Sequence, residues 1–526
     1  MADIVIINPR FETSFWGLEH AMPFLGAKAV LPVASLPLLA ALTPPDHSVT
    51  LIDENVEPID FARCACADIV GLTGMNVQRT RMHQILAELK RHGCFTVVGG
   101  PWVTVRESDI AGIADVIFVG EAEETWPRFL AEWGEGRHAR RYEQAARTDM
   151  STVPPPRLDL LRIKDYALAS VQFSRGCPFE CEFCDIIVTF GRRPRIKTSA
   201  QVIAELDGLL ATGKQTAFIV DDNLIGNKKA IKLLLRDVIV WQKVHGYPLM
   251  FATEASIDLA DDPELMRLMV EANISEVFIG IETPNEAALR ETKKIQNLRT
   301  RGGTMLDKVH RIQEAGMEVW CGIIVGFDND DESVFSVQRR FLAESRIANI
   351  MVNMLVAIPR TPLYLRLENE GRLDNGGDPA GFGPFGTNVV PQRIGRDALR
   401  QGYVELTQDL YRPAAFFGRL DALYLDARLR WGRSRQEYLR RHPIRRAKLN
   451  ARLLIEAAAI FVMLMRGVRD PALRREYRRR MLRVIRHRPT AAVLQLYAIK
   501  CAMHFHIHMM VQEMLATAPQ VTRAAA

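Results

Sequence analysis

The chain has 526 residues, of which 48% are hydrophobic and 25% are charged, and its formal net charge is +6. This composition excludes an intrinsically disordered protein, and the length indicates about three domains of ordinary size. Eight cysteines without dense, regular spacing exclude a small disulfide scaffold and favour a reducing cytoplasm. The first residues lack the basic and apolar regions of a secretory signal, so we predict none.

Residues 1–145 alternate short β-branched runs with amphipathic stretches. The runs IVIIN, SVTLID, DIVGLTG, FTVVGG and DVIFVG end in polar or glycine residues, a rhythm typical of a doubly wound parallel α/β sheet. Ligands of such sheets bind at the carboxyl ends of the strands. The residues predicted at these ends are Asn8, Asp53, Thr73, Gly74, Gly99, Gly100, Gly120 and Glu121.

A linker is predicted at 146–162, where three consecutive prolines interrupt regular structure. Residues 163–370 resume the alternation, and six runs predict successive parallel strands: ALASVQFSRG, TAFIVDDN, LMFATEAS, EVFIGIET, VWCGIIVGFD and NIMVNMLVAIP. Six strands separated by helices predict a partial (β/α)6 barrel, whose active face lies at the carboxyl ends of the strands.

Residues 371–526 form a predicted helical region rich in Arg and Met. Its apolar run Leu453–Met465 is interrupted by Glu456 and is shorter than the roughly 20 residues that span a bilayer. Such helices can lie on an anionic membrane surface. Alternatively, the arginines form a solvated face and the methionines pack onto the barrel. His504, His506 and His508 lie in a helical setting, which favours ordinary packing over metal binding.

The segment SRGCPFECEFCDIIV carries Cys177, Cys181 and Cys184 in C-x3-C-x2-C spacing just after the first predicted barrel strand. Three thiolates without a fourth leave one iron of a [4Fe-4S] cluster open to a ligand. The alternative is a structural zinc site with a distant fourth ligand, for which a single triplet is poor spacing. The other cysteines are predicted to be small buried apolar residues: Cys64, Cys66, Cys94, Cys321 and Cys501.

With Phe183 directly before the last cysteine, this segment resembles the signature of the radical S-adenosylmethionine (radical SAM) family. The resemblance implies that the three cysteines bind a [4Fe-4S] cluster and that Phe183 lies near the adenine of S-adenosylmethionine. It further implies that cleavage of S-adenosylmethionine yields a 5'-deoxyadenosyl radical.

Polar residues end four other predicted barrel strands: Asp221, Asp222, Asn223, Thr253, Glu254, Glu282, Thr283 and Asp328. By the same resemblance, Asp222, Glu254 and Glu282 contact the methionine or ribose part of S-adenosylmethionine. Helix N-capping is the alternative role for the Asp and Thr residues, whereas Glu is a weak N-cap.

The N-terminal segments GLTGMN, VVGGPW and FVGEAEETW resemble the glycine-rich loops of cobalamin-binding domains. The resemblance implies that Thr73, Gly74, Gly99, Gly100, Gly120 and Glu121 surround cobalamin. The D-x-H-x-x-G motif, which supplies a cobalt ligand in classical methyltransferases, is absent. Cobalamin is therefore expected to bind without a protein histidine. The alternative is a retained fold that serves only partner contacts.

The opening NPRFETSFWGLEHAMPFLG and the segments VTLIDEN and LTGMNVQR resemble hopanoid methylases within this family. This implies a cobalamin-dependent methyltransferase acting on an unactivated carbon of an isoprenoid or hopanoid-type lipid. Two rivals stay open: a cyclase or rearrangement enzyme with the same cofactors, and a non-catalytic iron-sulfur or zinc protein.

The resemblance also implies partners and a location. We expect a small-molecule or lipid substrate and a low-potential electron donor of the flavodoxin or ferredoxin type. Nucleic-acid binding is not expected, because the arginines are not interleaved with aromatic residues. The expected location is the cytoplasm, with peripheral contact to the inner face of the membrane.

Overall fold

The computed structural model describes residues 1–298, 303–374 and 385–517. Its N-terminal part contains a six-stranded parallel sheet in the order β2-β1-β3-β4-β5-β6. The strands are β1 (Asp3–Asn8), β2 (Ser48–Asp53), β3 (Ile69–Thr73), β4 (Thr96–Gly99), β5 (Val116–Val119) and β6 (Arg141–Glu143). The five predicted strands and the doubly wound topology are confirmed. Strand β6 was not predicted, because its sequence RYE is polar and mostly exposed.

Helices cover both faces of this first sheet, and the strands bury a separate apolar cluster on each face. Because both faces of the sheet are buried, successive residues of each strand are apolar, and the strands read as nearly continuous apolar runs. The helices of this part are α1 (Met22–Leu25), α2 (Ser35–Leu42), α3 (Phe61–Ala65), α4 (Arg79–Arg91), α5 (Pro101–Val105) and α6 (Thr125–Gly134).

The second sheet is also parallel and has six strands in the order β14-β13-β12-β11-β10-β7. Its edge strands do not pair with each other, so the barrel is open, as predicted. A short antiparallel ribbon, β8 with β9, follows the first strand. The strands are β7 (Ala169–Val171), β8 (Ser174–Arg175), β9 (Arg195–Ile196), β10 (Thr216–Ile219), β11 (Met250–Ala255), β12 (Ile274–Glu282), β13 (Glu318–Val325) and β14 (Ile350–Met354).

Helices pack on the outer face of the open barrel. The longest, α9, begins at an Asn227 side-chain cap and ends at Gly246 in the left-handed region, which is a favourable stop for a helix. The helices are α7 (Ile186–Thr189), α8 (Ser199–Ala211), α9 (Lys228–His245), α10 (Pro263–Glu271), α11 (Glu286–Glu291), α12 (Ile295–Leu298), α13 (Met305–Ala315), α14 (Val334–Glu344) and α15 (Pro362–Asn369).

The linker region 146–162 is attached to both sheets. The side chain of Gln201 donates to the carbonyls of Met150 and Val153, and Arg157 N donates to the Pro37 carbonyl at 2.9 Å. The stretch between the sheets is therefore held in place although it contains only short 3-10 turns.

The C-terminal part is helical, as predicted, and α21 packs along α19. His504 is fully buried and bonds to Tyr477 and to the Tyr411 carbonyl, which confirms packing rather than metal binding for this residue. None of the described helices is long and apolar enough to cross a bilayer. The helices are α16 (Arg396–Leu410), α17 (Pro413–Asp421), α18 (Arg433–Arg440), α19 (Pro443–Gly467), α20 (Pro471–His487) and α21 (Ala491–Thr517).

Candidate active site

The cysteine loop follows β7 and the β8 ribbon strand at the carboxyl end of the open barrel. Its turn depends on Gly176, which has φ +96° and whose Cβ would come within 2.9 Å of the Gly191 carbonyl. Cys177 N donates to that same carbonyl at 3.2 Å. The loop is therefore anchored at its start before the three cysteines are presented.

Two side-chain amides point at the sulfur atoms of this loop. Asn223 Nδ2 lies 3.8 Å from Cys177 Sγ, and Gln296 Nε2 lies 3.4 Å from Cys181 Sγ. Donors aimed at sulfur stabilise thiolate ligands of a cluster and affect its potential. Within the described chain, no three His, Cys, Asp or Glu side chains are arranged to hold a single metal ion. Three thiols with amide donors directed at two of their sulfur atoms fit a cluster held by three cysteines.

Burial raises the pKa values of the Cys177 and Cys184 thiols. An uncharged thiol is therefore the stable form of each side chain in the protein alone. Coordination to iron would offset this cost, because a metal ion favours the thiolate.

Asp222 braces the cysteine loop from the end of β10. Its Oδ2 accepts a hydrogen bond from Gly176 N at 2.8 Å, and burial raises the pKa of this carboxyl to about 6. The neighbouring Asp221 accepts from Phe173 N and Ser174 N. Neither aspartate caps a helix, so the capping alternative does not describe these two residues.

Glu282 forms a buried ion pair with Lys294, whose Nζ lies 2.6 Å from Glu282 Oε1. Glu282 has φ +62°, an uncommon conformation for a residue with a side chain. Lys294 Nζ also lies 5.7 Å from the centre of the Phe183 ring. The pKa of Lys294, which burial alone would lower, is raised by the Glu282 carboxylate and by Cys181. A fixed positive charge therefore faces the cysteine loop.

Glu254 lies near the end of β11, close to Asp222, Glu282 and Lys294. Burial, with a smaller contribution from the Asp222 carboxylate, raises the pKa of its carboxyl to about 8. No hydrogen bond or ion pair to this carboxyl occurs within the described residues, although the side chain retains some accessible surface. A carboxyl that is deep, accessible and unpartnered is suited to bind a polar ligand.

The remaining strand-end residues have structural partners. Thr253 Oγ1 donates to the Ile219 carbonyl, and Thr283 Oγ1 accepts from Asn285 N. Asp328 pairs with Arg366 at 2.7 Å and with Arg372. These contacts account for the three side chains without a ligand.

Sequence reasoning did not single out Lys294 and Gln296. Both follow β12 in an irregular stretch with short helices, where no periodic pattern indicates which side chains are buried. The one available signal is the polarity of the segment KKIQN between two predicted barrel elements.

The predicted cobalamin residues lie together at the carboxyl ends of β3, β4 and β5, yet the glycines differ in their surroundings. A Cβ on Gly100 (φ +104°) would lie 2.8 Å from both Gly74 N and Thr73 Oγ1, and one on Gly99 would lie 3.2 Å from Phe118 Cβ. A Cβ on Gly74 would meet Met82 at 2.5 Å. Gly100 is therefore needed by the fold itself, whereas at Gly74 and Gly99 a neighbouring side chain would have to shift.

Gly120 (φ +82°) is different, because no atom of the described residues lies within 4 Å of a Cβ placed on it. The indole Nε1 of Trp102, in the helix that starts after Gly100, is buried and has no partner among the described residues. The open space at Gly120 and the unpaired indole donor of Trp102 fit a bulky ligand that carries hydrogen-bond acceptors.

Glu121 lies in a buried ion-pair network between the two sheets. Its Oε1 accepts from Arg175 and from Arg195, each at 2.9 Å, and its Oε2 accepts from Thr148 N. Arg175 directly precedes the cysteine loop and also pairs with Glu123. The glutamate therefore fixes the first sheet to the base of this loop.

The inner face of the second sheet is accessible and mostly apolar, although Glu254, Glu276 and Asn353 also lie on it. In β11, β12 and β14 fully buried residues alternate with partly accessible ones, and the buried set packs on the outer helices. Trp16 reaches this inner face and lies 4.8 Å from the Phe278 ring. The partly accessible residues on this face include Phe218, Ala252, Phe278, Trp320, Ile324 and Met351.

Of the other cysteines, Cys64, Cys321 and Cys501 are buried as predicted and Cys94 is partly buried, but the prediction is wrong for Cys66. Cys66 is exposed because it ends α3, and two positions along a helix place it on the side opposite Cys64.

Three family matches cover most of the chain. Residues 27–130 match the B12 binding domain, residues 171–337 match the radical SAM superfamily, and residues 361–519 match a domain of unknown function, DUF4070. An uncharacterized methyltransferase of Synechocystis sp. is 40% identical over 79% of this chain and 77% of its own. The hopanoid C-2 methylase of Rhodopseudomonas palustris is 36% identical over 70% of this chain and 71% of its own.

Among solved structures, the cobalamin-dependent S-adenosylmethionine radical enzyme OxsB with aqua-cobalamin and S-adenosylmethionine bound has the same fold. The match has a TM-score of 0.61 and 15% identity, and covers 98% of this chain and 80% of OxsB. Fold and cysteine loop define a radical SAM enzyme. The chain belongs to the cobalamin-dependent radical SAM methyltransferase family, whose cofactors are a [4Fe-4S] cluster, S-adenosylmethionine and cobalamin. It is a radical SAM C-methyltransferase.

Proposed function

We propose that the enzyme methylates an unactivated carbon of an isoprenoid or hopanoid-type lipid. The observation that carries the proposal is the inner face of the second sheet, which presents accessible apolar and aromatic side chains beside the cysteine loop. A hydrocarbon framework gains roughly 25 cal/mol for each Å² of apolar surface that it buries on such a wall. The similarity to a hopanoid C-2 methylase supports the same substrate class.

The residues have three roles in this proposal. Cys177, Cys181 and Cys184 hold the cluster, while Asn223, Gln296 and Lys294 stabilise charge on their sulfur atoms. Bound in these sites, the cluster supplies the electron that cleaves S-adenosylmethionine and cobalamin carries the methyl group. The residues proposed to bind S-adenosylmethionine are Phe183, Asp222, Glu254 and Glu282. Those proposed to surround cobalamin are Thr73, Gly74, Gly99, Gly100, Gly120 and Glu121.

Among the S-adenosylmethionine residues, Glu254 has the clearest task. Its carboxyl has no partner in the described chain and is suited to accept from an amino or hydroxyl group. Phe183 offers a flat apolar surface next to the cysteine loop, backed by Phe327 at 6.1 Å. A stacked adenine would be shielded from water there.

Substrate and reductant reach the enzyme from two directions in this proposal. A low-potential donor of the flavodoxin or ferredoxin type supplies electrons. The lipid is taken up at the inner face of the membrane, with the Arg-rich helical region 371–526 on the membrane side. The concentration of arginine in this region supports this orientation.

The test uses anaerobically reconstituted enzyme with cobalamin, dithionite and S-adenosylmethionine labelled in its methyl group, and a pentacyclic triterpenoid supplied in detergent. Mass spectrometry should detect 5'-deoxyadenosine, S-adenosylhomocysteine and label in the lipid. Cys184→Ala should abolish all three, whereas the matched control Cys66→Ala should not, because Cys66 is exposed and distant from the loop in sequence.

Other outcomes separate the rivals. Deoxyadenosine with a changed but unlabelled lipid would favour a cyclase or rearrangement enzyme. Neither small product, from protein shown to carry its cluster, would favour a non-catalytic iron-sulfur protein. About one zinc per chain and no iron would contradict the cluster assignment.

A further inference from the structure

Helix α19 has an exposed apolar stripe opposite its buried face. Its buried residues are Ala457, Ile460 and Leu464, which pack into the protein core. The exposed stripe consists of Ile444, Ala451, Leu454, Ile455, Ala458 and Val462. The spacings 451, 455, 458 and 462 are those of one helix face. The exposed fractions of Ile444 and Ile455 are 73% and 70%.

Such a helix is apolar on two opposite sides, and the described residues cover only one of them. A surface helix of a soluble protein normally has charged or polar residues on its outer face. Leu454 and Val462 are 46% and 44% exposed, so the stripe extends over several turns. A continuous apolar patch of this kind indicates an interaction surface.

Cations border the stripe. Lys448 and Arg466 each lie three or four residues from one of its members, so their side chains flank it on the helix surface, whereas Arg452 pairs with Glu456 at 2.6 Å. Residues 441–490 contain 15 Lys or Arg and 3 Asp or Glu, a net charge of +12 in a chain whose total is +6. The rest of the chain is therefore net negative, and the basic charge is concentrated around α19 and α20.

We propose that this stripe, Ile444–Val462 on α19, docks on the surface of an anionic phospholipid bilayer. Apolar side chains enter the acyl boundary while the flanking cations attract the anionic headgroups. A second copy of the chain would bring another strongly positive surface against the first, which disfavours self-association. The inference rests on the proposed lipid substrate and names the surface by which the enzyme reaches it.

The contacts behind α19 connect this surface to the inner face of the second sheet. Gly467, at the end of α19, lies against the Phe24 ring, and Phe24 contacts Phe505 of α21 at 5.4 Å. His506 of α21 bonds to the Ser14 carbonyl at 2.9 Å, two residues before Trp16. The docked helix would thus lie behind the segment that covers part of the substrate wall.

Helix α9 provides a matched comparison. It also exposes an apolar stripe, with Leu233, Val240 and Val244 at 54%, 60% and 74%. Its cations Lys232 and Arg236, however, pair with Glu264 at 2.9 Å each. The α9 stripe thus has comparable apolar exposure, with the two cations beside Leu233 and Val240 neutralised by Glu264.

The test is vesicle flotation of the full-length holoprotein without substrate. Vesicles are made either of phosphatidylcholine alone or of phosphatidylcholine mixed with phosphatidylglycerol. The protein should float with the anionic vesicles only, and raising the salt concentration should weaken binding. Ile455→Glu/Val462→Glu should reduce binding about tenfold or more, whereas the control Val240→Glu/Val244→Glu should bind like the unmodified protein.

Equal binding by both double variants would overturn the proposal. The proposal would also be overturned if light scattering showed that the protein is a dimer and that Ile455→Glu/Val462→Glu abolishes this dimer. The stripe would then be an interface between two copies of the chain. Thermal unfolding and cluster absorbance show that each variant is folded. With detergent-dispersed lipid, the α19 variant should keep full methylation. If the α19 variant loses flotation but keeps methylation, the membrane-binding surface is distinct from the catalytic site. If the unmodified protein floats but does not methylate the lipid, only the proposed function is refuted.

Discussion

Glu254 combines a buried carboxyl with a task in ligand binding. Its ordinary pKa is 4.5, and burial raises it to about 8 in the folded protein. The folded state therefore binds a proton that the unfolded state releases between these values, and stability falls as the pH rises from about 5 to 8. A buried carboxyl without a partner in the described chain is retained here in its uncharged form, and the position is proposed to serve a ligand.

We expect Glu254→Gln to stabilise the enzyme without ligand at pH 8 and to leave its stability almost unchanged below pH 5. The gain at pH 8 should be roughly 2–4 kcal/mol, because the variant does not have to bury an ionised group. Affinity for S-adenosylmethionine should fall about tenfold. Denaturant unfolding at several pH values and equilibrium binding measure the two effects. A variant that loses stability at pH 8 would contradict the assignment.

The Lys294–Glu282 pair predicts that removing Lys294 alone costs more folding stability than removing both charges. Lys294→Met should destabilise the protein by about 3–5 kcal/mol, since it leaves the Glu282 carboxylate buried and uncompensated. Lys294→Met/Glu282→Gln should recover most of that loss. The matched control is Lys293→Met, because Lys293 is exposed although it pairs with Glu182. Chemical unfolding measures each step, and equal losses in the single and double variants would contradict the pair.

At the scale of elements, the strand ends of the first sheet make a contrasting prediction for two glycines. Gly100→Ala should destabilise by about 2–4 kcal/mol, because strain at φ +104° is added to a clash with the backbone of Gly74. Gly120→Ala should cost only about 1–2 kcal/mol, since its surroundings are open.

The same pair tests the cobalamin site. Gly120→Ala should weaken cobalamin binding more than its small effect on stability suggests, because the methyl group enters space proposed for the ligand. Absorbance titration with cobalamin measures the affinity, and thermal unfolding gives the stability. If Gly120→Ala binds cobalamin normally, the open space at the end of β5 is not part of the cobalamin site.

Much of the element pattern was predictable from sequence. Parallel strands buried on both faces leave continuous apolar runs such as IVIIN, and five strands of the first sheet and six of the second were found this way. Strand β6 was missed, because an edge strand of three residues with exposed Arg141 and Glu143 carries no such run. The ribbon β8–β9 was also missed, because its strands are too short to carry an apolar run.

The site was predictable only where chemistry sets the spacing. Three cysteines in one loop define the cluster motif in sequence, whereas Lys294 and Gln296 reach it from an irregular segment that tertiary packing alone places there. Glu121 is a second example. Its position at a strand end was predictable, whereas the pairing of its carboxylate with Arg175 and Arg195 depends on tertiary packing that the sequence does not reveal.

At the scale of the whole molecule, the ion-pair network around Arg175 joins the two sheets. Arg175→Met should destabilise the protein by about 3–5 kcal/mol, because Glu121 and Glu123 lose a buried partner. Limited proteolysis should then cut faster near 146–162. The control Arg192→Met removes only a surface pair with Glu180 and should change neither stability nor cleavage.

This experiment also bears on the domain division that we propose, 1–145, 163–370 and 371–526 with a linker at 146–162. If the sheets are separate domains, Arg175→Met should split unfolding into two transitions, seen by calorimetry. A single sharp transition in the variant would indicate one cooperative unit across both sheets.

The contact between His506 and Ser14 spans 492 positions of the chain. During synthesis, the first sheet can form long before α21 leaves the ribosome, but the segment with Phe15 and Trp16 must wait for that helix. Until then the aromatic residues of this segment and the inner face of the barrel stay uncovered together. We therefore expect newly made protein to depend on chaperones late in translation.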